Sequence, residues 1–172
     1  TGSILINQDD IKVIDAEFGY FGPMGFAIGA VLGNLVLNYA SQEYHAKNEK
    51  TRAEYREWLL KTIKEIWVEF EKEFRHLFDT QRQVGDWESK YFMDTYLLHV
   101  LQDTAGFGGC KTIRRLVGLA HVPDMWEIPD DKARAISESM AFNVGKNWIL
   151  KRAQVKSIDD LVNMVKEFSV PH

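Results

Sequence analysis

Asp15 and Glu17 stand two residues apart, after the apolar run 11–14 and before Phe18-Gly19-Tyr20-Phe21-Gly22-Pro23-Met24-Gly25-Phe26. An extended backbone repeats its side-chain direction every second residue, so both carboxylates are expected to point the same way. Hard cations such as magnesium are held by one or two carboxylates together with substrate phosphates. Asp15-Ala16-Glu17 at a strand end is therefore a candidate holder for a metal–nucleotide complex. Two surface acids at the mouth of a turn would look the same, and the spacing leaves both readings open. Arg114 and Arg115 form the second candidate, two guanidiniums side by side after Gly106-Phe107-Gly108-Gly109-Cys110-Lys111. Forked donors of this kind grip hydroxyls or phosphate, although a solvated helix face with surface ion pairs shows the same pattern. Other signals are weaker. Gly106-Phe107-Gly108-Gly109 is not a phosphate loop, since no Lys-Ser/Thr follows in register and no strand precedes it. The five histidines show no metal-ligand spacing, and Cys110 has no activating base near it in sequence and is expected to be buried.

The elements that position these residues are mostly helical. Residues 4–6 and 11–14 are short apolar runs joined by Asn7-Gln8-Asp9-Asp10, a hairpin pattern. Residues 24–40 carry no charge and are interrupted by Gly25, Gly29, Gly33 and Asn34. The run falls short of the roughly 20 residues that span a bilayer and reads as a buried core helix. Residues 51–78 place Tyr55, Leu59, Ile63, Ile66, Phe70, Phe74 and Leu77 at steps of three and four, a long amphipathic helix. A polar break is expected at 81–86, a helix at 88–102, a glycine-rich break at 103–109 and a further helix at 110–119. Pro123 and Pro129 bracket a loop. Asp130 or Asp131 caps a helix that runs through Arg152, and Ser157-Ile158-Asp159-Asp160 opens a last helix to Phe168 with a capping box.

Length and charge narrow the function classes. The chain has 172 residues, 45% of them hydrophobic, enough for one domain or one lobe of a larger enzyme. A net charge of −4 argues against a nucleic-acid surface. The single cysteine and the absence of a secretory pattern in residues 1–10 fit a reducing cytoplasm.

Thr1-Gly2-Ser3-Ile4-Leu5-Ile6, Val13-Ile14-Asp15-Ala16-Glu17-Phe18 and Gly22-Pro23-Met24-Gly25-Phe26 resemble the catalytic core of S-methyl-5-thioribose kinase. That family belongs to the kinase-like superfamily of aminoglycoside and choline kinases. A second match, Asp103-Thr104-Ala105-Gly106-Phe107, Ile113-Arg114-Arg115 and Gly118-Leu119-Ala120-His121-Val122, extends the resemblance over most of the chain. It implies the C-terminal lobe of a protein-kinase-like fold, mainly α with a small β-hairpin, occupying residues 1–172 as one substrate-binding unit. The N-terminal ATP-binding lobe, with its glycine-rich loop and strand lysine, would be absent, and the catalytic Asp would sit three residues before Thr1. The implied reaction is ATP-dependent phosphorylation of 5-methylthioribose at its anomeric hydroxyl, in methionine salvage. Asp15 and Glu17 would hold magnesium with ATP, and Arg114 and Arg115 would hold the sugar. Ser3 stands where relatives have a metal-binding Asn, and a hydroxyl is the weaker ligand. The resemblance also implies a homodimer, with the long aromatic helix as one candidate interface, and His121 near the sugar.

The chain departs from the pattern at two positions. Ala27 replaces an Asp that accepts hydrogen bonds from the catalytic-loop backbone, and unpaired buried donors cost about 1–3 kcal/mol each. Ala16 replaces a Pro between the metal ligands. These changes and the missing lobe support an alternative, a non-catalytic interaction module derived from such a lobe. By itself the chain is expected to be inactive. A third reading, another small-molecule kinase of the superfamily, is disfavoured by the Arg114-Arg115 region.

Overall fold

The computed structural model describes residues 4–15, 19, 21–81 and 90–169. Two short strands, β1 (Ile4–Ile6) and β2 (Ile11–Val13), pair antiparallel with Ile4 opposite Val13 and Ile6 opposite Ile11. Asn7 closes the turn between them. Its Oδ1 accepts from the backbone N–H groups of Asp9 (2.8 Å) and Asp10 (2.7 Å), the local bonding that favours asparagine in turns. Leu5, Ile6, Ile11 and Val13 are exposed, so the hairpin stands outside the helical core.

The rest of the described chain is helical, which makes the fold mainly α with one small hairpin, as expected. It contains α1 (Met24–His45), α2 (Glu49–Gln81), α3 (Lys90–Val117), the single turn α4 (Pro123–Trp126), α5 (Asp131–Leu150), a 3₁₀ turn (Arg152–Gln154) and α6 (Ile158–Glu167). By length and composition α1 could cross a membrane. Here its apolar surface is packed in the helical core, burying Leu32, Val36, Leu37 and Ala40 in a cluster with Leu59 and Ile63 of α2, Leu101 and Ala105 of α3 and Val144 and Trp148 of α5.

The glycine-rich break expected at 103–109 is not there, and α3 runs through it unbroken. Each glycine in a helix interior costs up to about 1 kcal/mol, and close packing explains why these are tolerated. The segments of α1 and α3 run parallel, with Gly25 level with Asp103 and Thr104, Gly29 with Thr104 and Gly108, and Gly33 with Gly108, Lys111 and Thr112. A Cβ at Gly29 would lie 2.6 Å from the Thr104 carbonyl oxygen and 2.7 Å from the Gly108 nitrogen. The Thr112 hydroxyl donates across the same seam to the Gly33 carbonyl at 3.3 Å. Behind α3, a Cβ at Gly108 would meet the Trp148 ring at 2.9 Å, and one at Gly109 would overlap the Gly145 carbonyl. These glycines therefore let three helices stack backbone to backbone, and they interrupt none of them.

The stripe on α2 is present but shorter than its periodicity suggests. Leu59, Leu60, Ile63 and Trp67 are buried and Ile66, Phe70 and Phe74 half-buried, whereas Tyr55 and Leu77 are exposed. A helix of 33 residues is about 50 Å long and outruns the core at both ends. Its far half joins α3 through aromatic rings, with Phe74 stacked on Tyr96 at 5.6 Å. Its near half is tied to α1 by Arg56, which lies 4.9 Å over the Tyr39 ring and donates to the Tyr39 carbonyl (3.1 Å) and Glu43 (3.3 Å). Arg52 completes the ion pair to Glu43 at 2.9 Å. Asp130 caps α5 by accepting from the N–H groups of Lys132 and Ala133. Ser157 and Asp160 form the expected capping box of α6. The loop expected between Pro123 and Pro129 contains the turn α4, because Pro123 fits the first helical turn, where no N–H is needed.

Candidate functional site

The Asp15 half of the first candidate lies in an unusual conformation. Strand β2 ends at Val13, and Asp15 has φ 61°, in the left-handed region rather than the extended one. Asp15 therefore does not continue the extended backbone that the two-residue spacing predicts. Aspartate is among the few residues that tolerate this region, through short local hydrogen bonding. The Asp15 side chain is exposed to solvent. Ala16, Glu17 and Ser3 lie outside the described residues, so the geometry of the carboxylate pair is not defined. No cluster of three or more His, Cys, Asp or Glu suited to a metal ion occurs among the described residues. Magnesium held by one or two carboxylates with phosphates and water does not need such a cluster. The donor chemistry of an accessible Asp15 carboxylate fits that ion.

The second candidate sits at the C-terminal end of the α1–α3 seam. Arg114 and Arg115 occupy the last turn of α3, level with the C-terminal half of α1, and their positive charge complements the carbonyl end of the helix. The two guanidiniums have different settings. Arg114 is exposed. Arg115 is half-buried, and its NH1 donates to the Ala120 carbonyl at 2.8 Å, while its Nε is buried without a hydrogen-bond partner. Arg115 thus braces the loop 118–122 and leaves Arg114 as the guanidinium open to a ligand. One turn earlier, at steps of three and four, lies Lys111. Partial burial together with Arg115 and Arg114 holds its ammonium below the ordinary lysine value.

The braced loop carries His121, whose ring stacks on Trp126 of α4 at 4.1 Å. Turn α4 is itself pinned to α1. Asn38 donates to the Asp124 carboxylate at 2.9 Å, His45 Nε2 lies 2.8 Å from the Asp124 carbonyl, and Met125 is buried. A half-buried histidine of the loop that Arg115 supports is therefore held against an exposed tryptophan of α4.

Lys111 and Trp126 escaped the sequence reading. The signal for Lys111 was present, since residues three and four apart share a helix face; Trp126 had none without the fold. Cys110 is exposed, contrary to the expectation that it would be buried. The α1 and α5 contacts use the faces of α3 that carry Gly108 and Gly109, and Cys110, a further 100° round the helix, points away from both toward solvent. Ala27 lies exposed in the fourth position of α1, whose first turn has no acidic residue and no side-chain cap.

No family model matches the chain. Curated relatives match nearly all of it. Methylthioribose kinase 2 of Oryza sativa subsp. japonica is 38% identical over 180 residues, covering 98% of this chain and 42% of the relative. Methylthioribose kinase 1 of the same organism is 39% identical with the same coverage. Methylthioribose kinase of Escherichia coli is 35% identical over 176 residues, covering 96% of this chain and 42% of the relative. The chain thus spans less than half the length of the relatives it matches.

Proposed function

Because the chain is a homologue of the methylthioribose kinases through nearly all of its length, we propose that it is the C-terminal, substrate-binding lobe of an ATP-dependent sugar kinase. The reaction would move the γ-phosphoryl group of ATP to the anomeric hydroxyl of 5-methylthioribose, releasing ADP and giving the 1-phosphate in methionine salvage. The hydroxyl proton would pass to a carboxylate base upstream of Thr1. Asp15 and Glu17 would hold magnesium, which neutralises charge on the phosphates of the bound nucleotide.

The observation that carries this reading is the division of labour at the end of α3. Arg115 is committed to the Ala120 carbonyl, and Arg114 stands exposed beside it. Adjacent helix residues point about 100° apart, so one arginine can fix the loop while the other reaches the sugar. A cytoplasmic location and a homodimer belong to the same proposal. The exposed Tyr55 and Trp58 on α2 offer an apolar face for the dimer.

Kinetics of the full-length enzyme test the assignment. Asp15→Asn should lower kcat by orders of magnitude with little change in sugar affinity, since it removes charge stabilisation and no sugar contact. Arg114→Lys should lower kcat/KM for methylthioribose, because an ammonium cannot reproduce a fork of donors. If both variants match the wild type, the site is elsewhere.

One observation favours the second reading, a non-catalytic module. Ala27 and the uncapped first turn of α1 give the preceding loop no carboxylate to bond. Ala27→Asp separates the two, since it should raise activity in a working enzyme and do nothing catalytic in a module.

A further inference from the structure

Where α1, α2 and α6 meet, an open cleft of about 420 Å³ is lined by Tyr39, Arg52, Arg56, Glu57, Leu60 and Lys166. That volume is in the range of small-molecule sites. Arg52 and Arg56 both turn to Glu43, at 2.9 and 3.3 Å, and among the described residues no other carboxylate pairs with either. Their side chains are only 29% and 11% exposed, so two guanidiniums share one negative charge where solvent screens them poorly. The other charges of the lining have their own counterparts. Glu57 faces Lys166 at 3.9 Å, and Glu49, exposed in the first turn of α2, complements the amino end of that helix. Burial, and to a lesser degree Arg52, holds the Arg56 guanidinium below its ordinary value against the pull of Tyr39 and Glu43.

The two arginines are not equally free. Arg56 gives its Nε to the Tyr39 carbonyl and its NH2 to Glu43. Arg52 gives NH1 to Glu43, and its Nε and NH2 have no partner among the described residues. That remaining edge is a fork of two parallel donors, the geometry that matches a carboxylate. The Tyr39 hydroxyl does not compete for such a ligand. Ser169 Oγ donates to the Val165 carbonyl at 2.8 Å, so it accepts from Tyr39 at 2.5 Å and uses that hydroxyl's proton.

We infer that this cleft binds a small organic carboxylate, held by the free edge of Arg52 with a short apolar tail toward Leu60. One surplus positive charge calls for a monoanion. A phosphate dianion would overcompensate it and would crowd the carboxylates of Glu49 and Glu57 in the same lining. Arg56 supplies charge and no further hydrogen bond, and Lys166 stays with Glu57. None of these residues is among those proposed for phosphoryl transfer.

Saturation-transfer NMR on the full-length protein tests this, with isovalerate as the probe and sodium chloride holding the ionic strength constant. Isovalerate should bind with a Kd in the millimolar range, and isovaleramide, which has the same shape and no charge, should give no signal. Arg52→Gln should weaken isovalerate at least about tenfold, the loss expected for hydrogen bonds to a charged group, while Arg56 remains with Glu43. If Arg52→Gln fails to fold by circular dichroism, Arg52→Lys keeps the charge, loses the fork and should weaken binding several-fold. Arg114→Gln should bind isovalerate as the wild type does. Absence of binding, equal binding of the amide, or Arg52 variants that match the wild type overturn the inference. So does displacement of the probe by an equal concentration of inorganic phosphate, or loss of binding in Arg114→Gln, which would seat the probe at the end of α3. No sugar or ATP is present, so the result is independent of whether the protein phosphorylates methylthioribose.

Discussion

Gly29→Ala and Gly106→Ala are the same chemical change in neighbouring helices and should shift stability in opposite directions. In a helix interior alanine is favoured over glycine by about 1 kcal/mol, so propensity alone would make both variants more stable. At Gly106 the nearest atom to a new Cβ is Arg152 Cδ at 3.4 Å, the end of a flexible side chain at ordinary contact distance. Propensity should win there, with a gain of about 0.5–1 kcal/mol. At Gly29 the Cβ would lie 2.6 Å from the Thr104 oxygen and 2.7 Å from the Gly108 nitrogen, both backbone atoms. To reach ordinary contact the helices must part by roughly 1 Å, and such a gap forfeits a quarter to a half of the local dispersion energy. Helix α3 cannot retreat, because Gly109 and Gly145 already press its far side against α5. Overpacking of this kind costs about 1–3 kcal/mol or more, and rigid backbone on both sides places Gly29 at the upper end. The net expectation is a loss of about 2 kcal/mol. Urea unfolding followed by circular dichroism reads both variants. With a slope of about 2 kcal/mol/M, Gly29→Ala should lower the midpoint by about 1 M while Gly106→Ala raises it slightly. If both midpoints move upward, the close α1–α3 seam is not what these glycines are for.

Asp160→Ala should cost about 1 kcal/mol at neutral pH by removing half of the α6 capping box. Backbone N–H bonds from Lys156 and Ser157 hold the Asp160 carboxyl below its ordinary 3.8, so its contribution is present above that pH and is lost as pH falls through the lowered value. The gap between wild type and variant should therefore stay constant near neutrality and close in acid, and thermal melts across that range check it. Arg56→Met should destabilise the fold by about 2 kcal/mol, since it leaves the Tyr39 carbonyl without this donor and Glu43 with Arg52 alone. A Tm unchanged within 1 °C would contradict that reading.

The elements whose period matched their packing were legible in the sequence. The apolar run of α1, the stripe of α2 and the capping box of α6 all follow from local spacing, and the hairpin follows from Asn7 and the flanking apolar runs. The glycines of α3 were misread because their role is set by helices far away in sequence: Gly108 and Gly109 look like a break until Gly29, Gly145 and Trp148 are placed against them. The site divides in the same way. The residues of the arginine pair were identifiable from their type, but which one is free depends on the Ala120 carbonyl, five residues beyond Arg115, and only the fold supplies that contact. The Asp15 backbone could not be read at all, since a left-handed aspartate and an extended one share the same sequence.

The central claim is that this chain serves a kinase acting on 5-methylthioribose. It is tested most directly by incubating the full-length protein with ATP, magnesium and the sugar and identifying the product by phosphorus NMR. The account predicts a new anomeric phosphate monoester and stoichiometric ADP, with the signal abolished in Asp15→Asn. No turnover of methylthioribose, or turnover of choline or an aminoglycoside in its place, would contradict it.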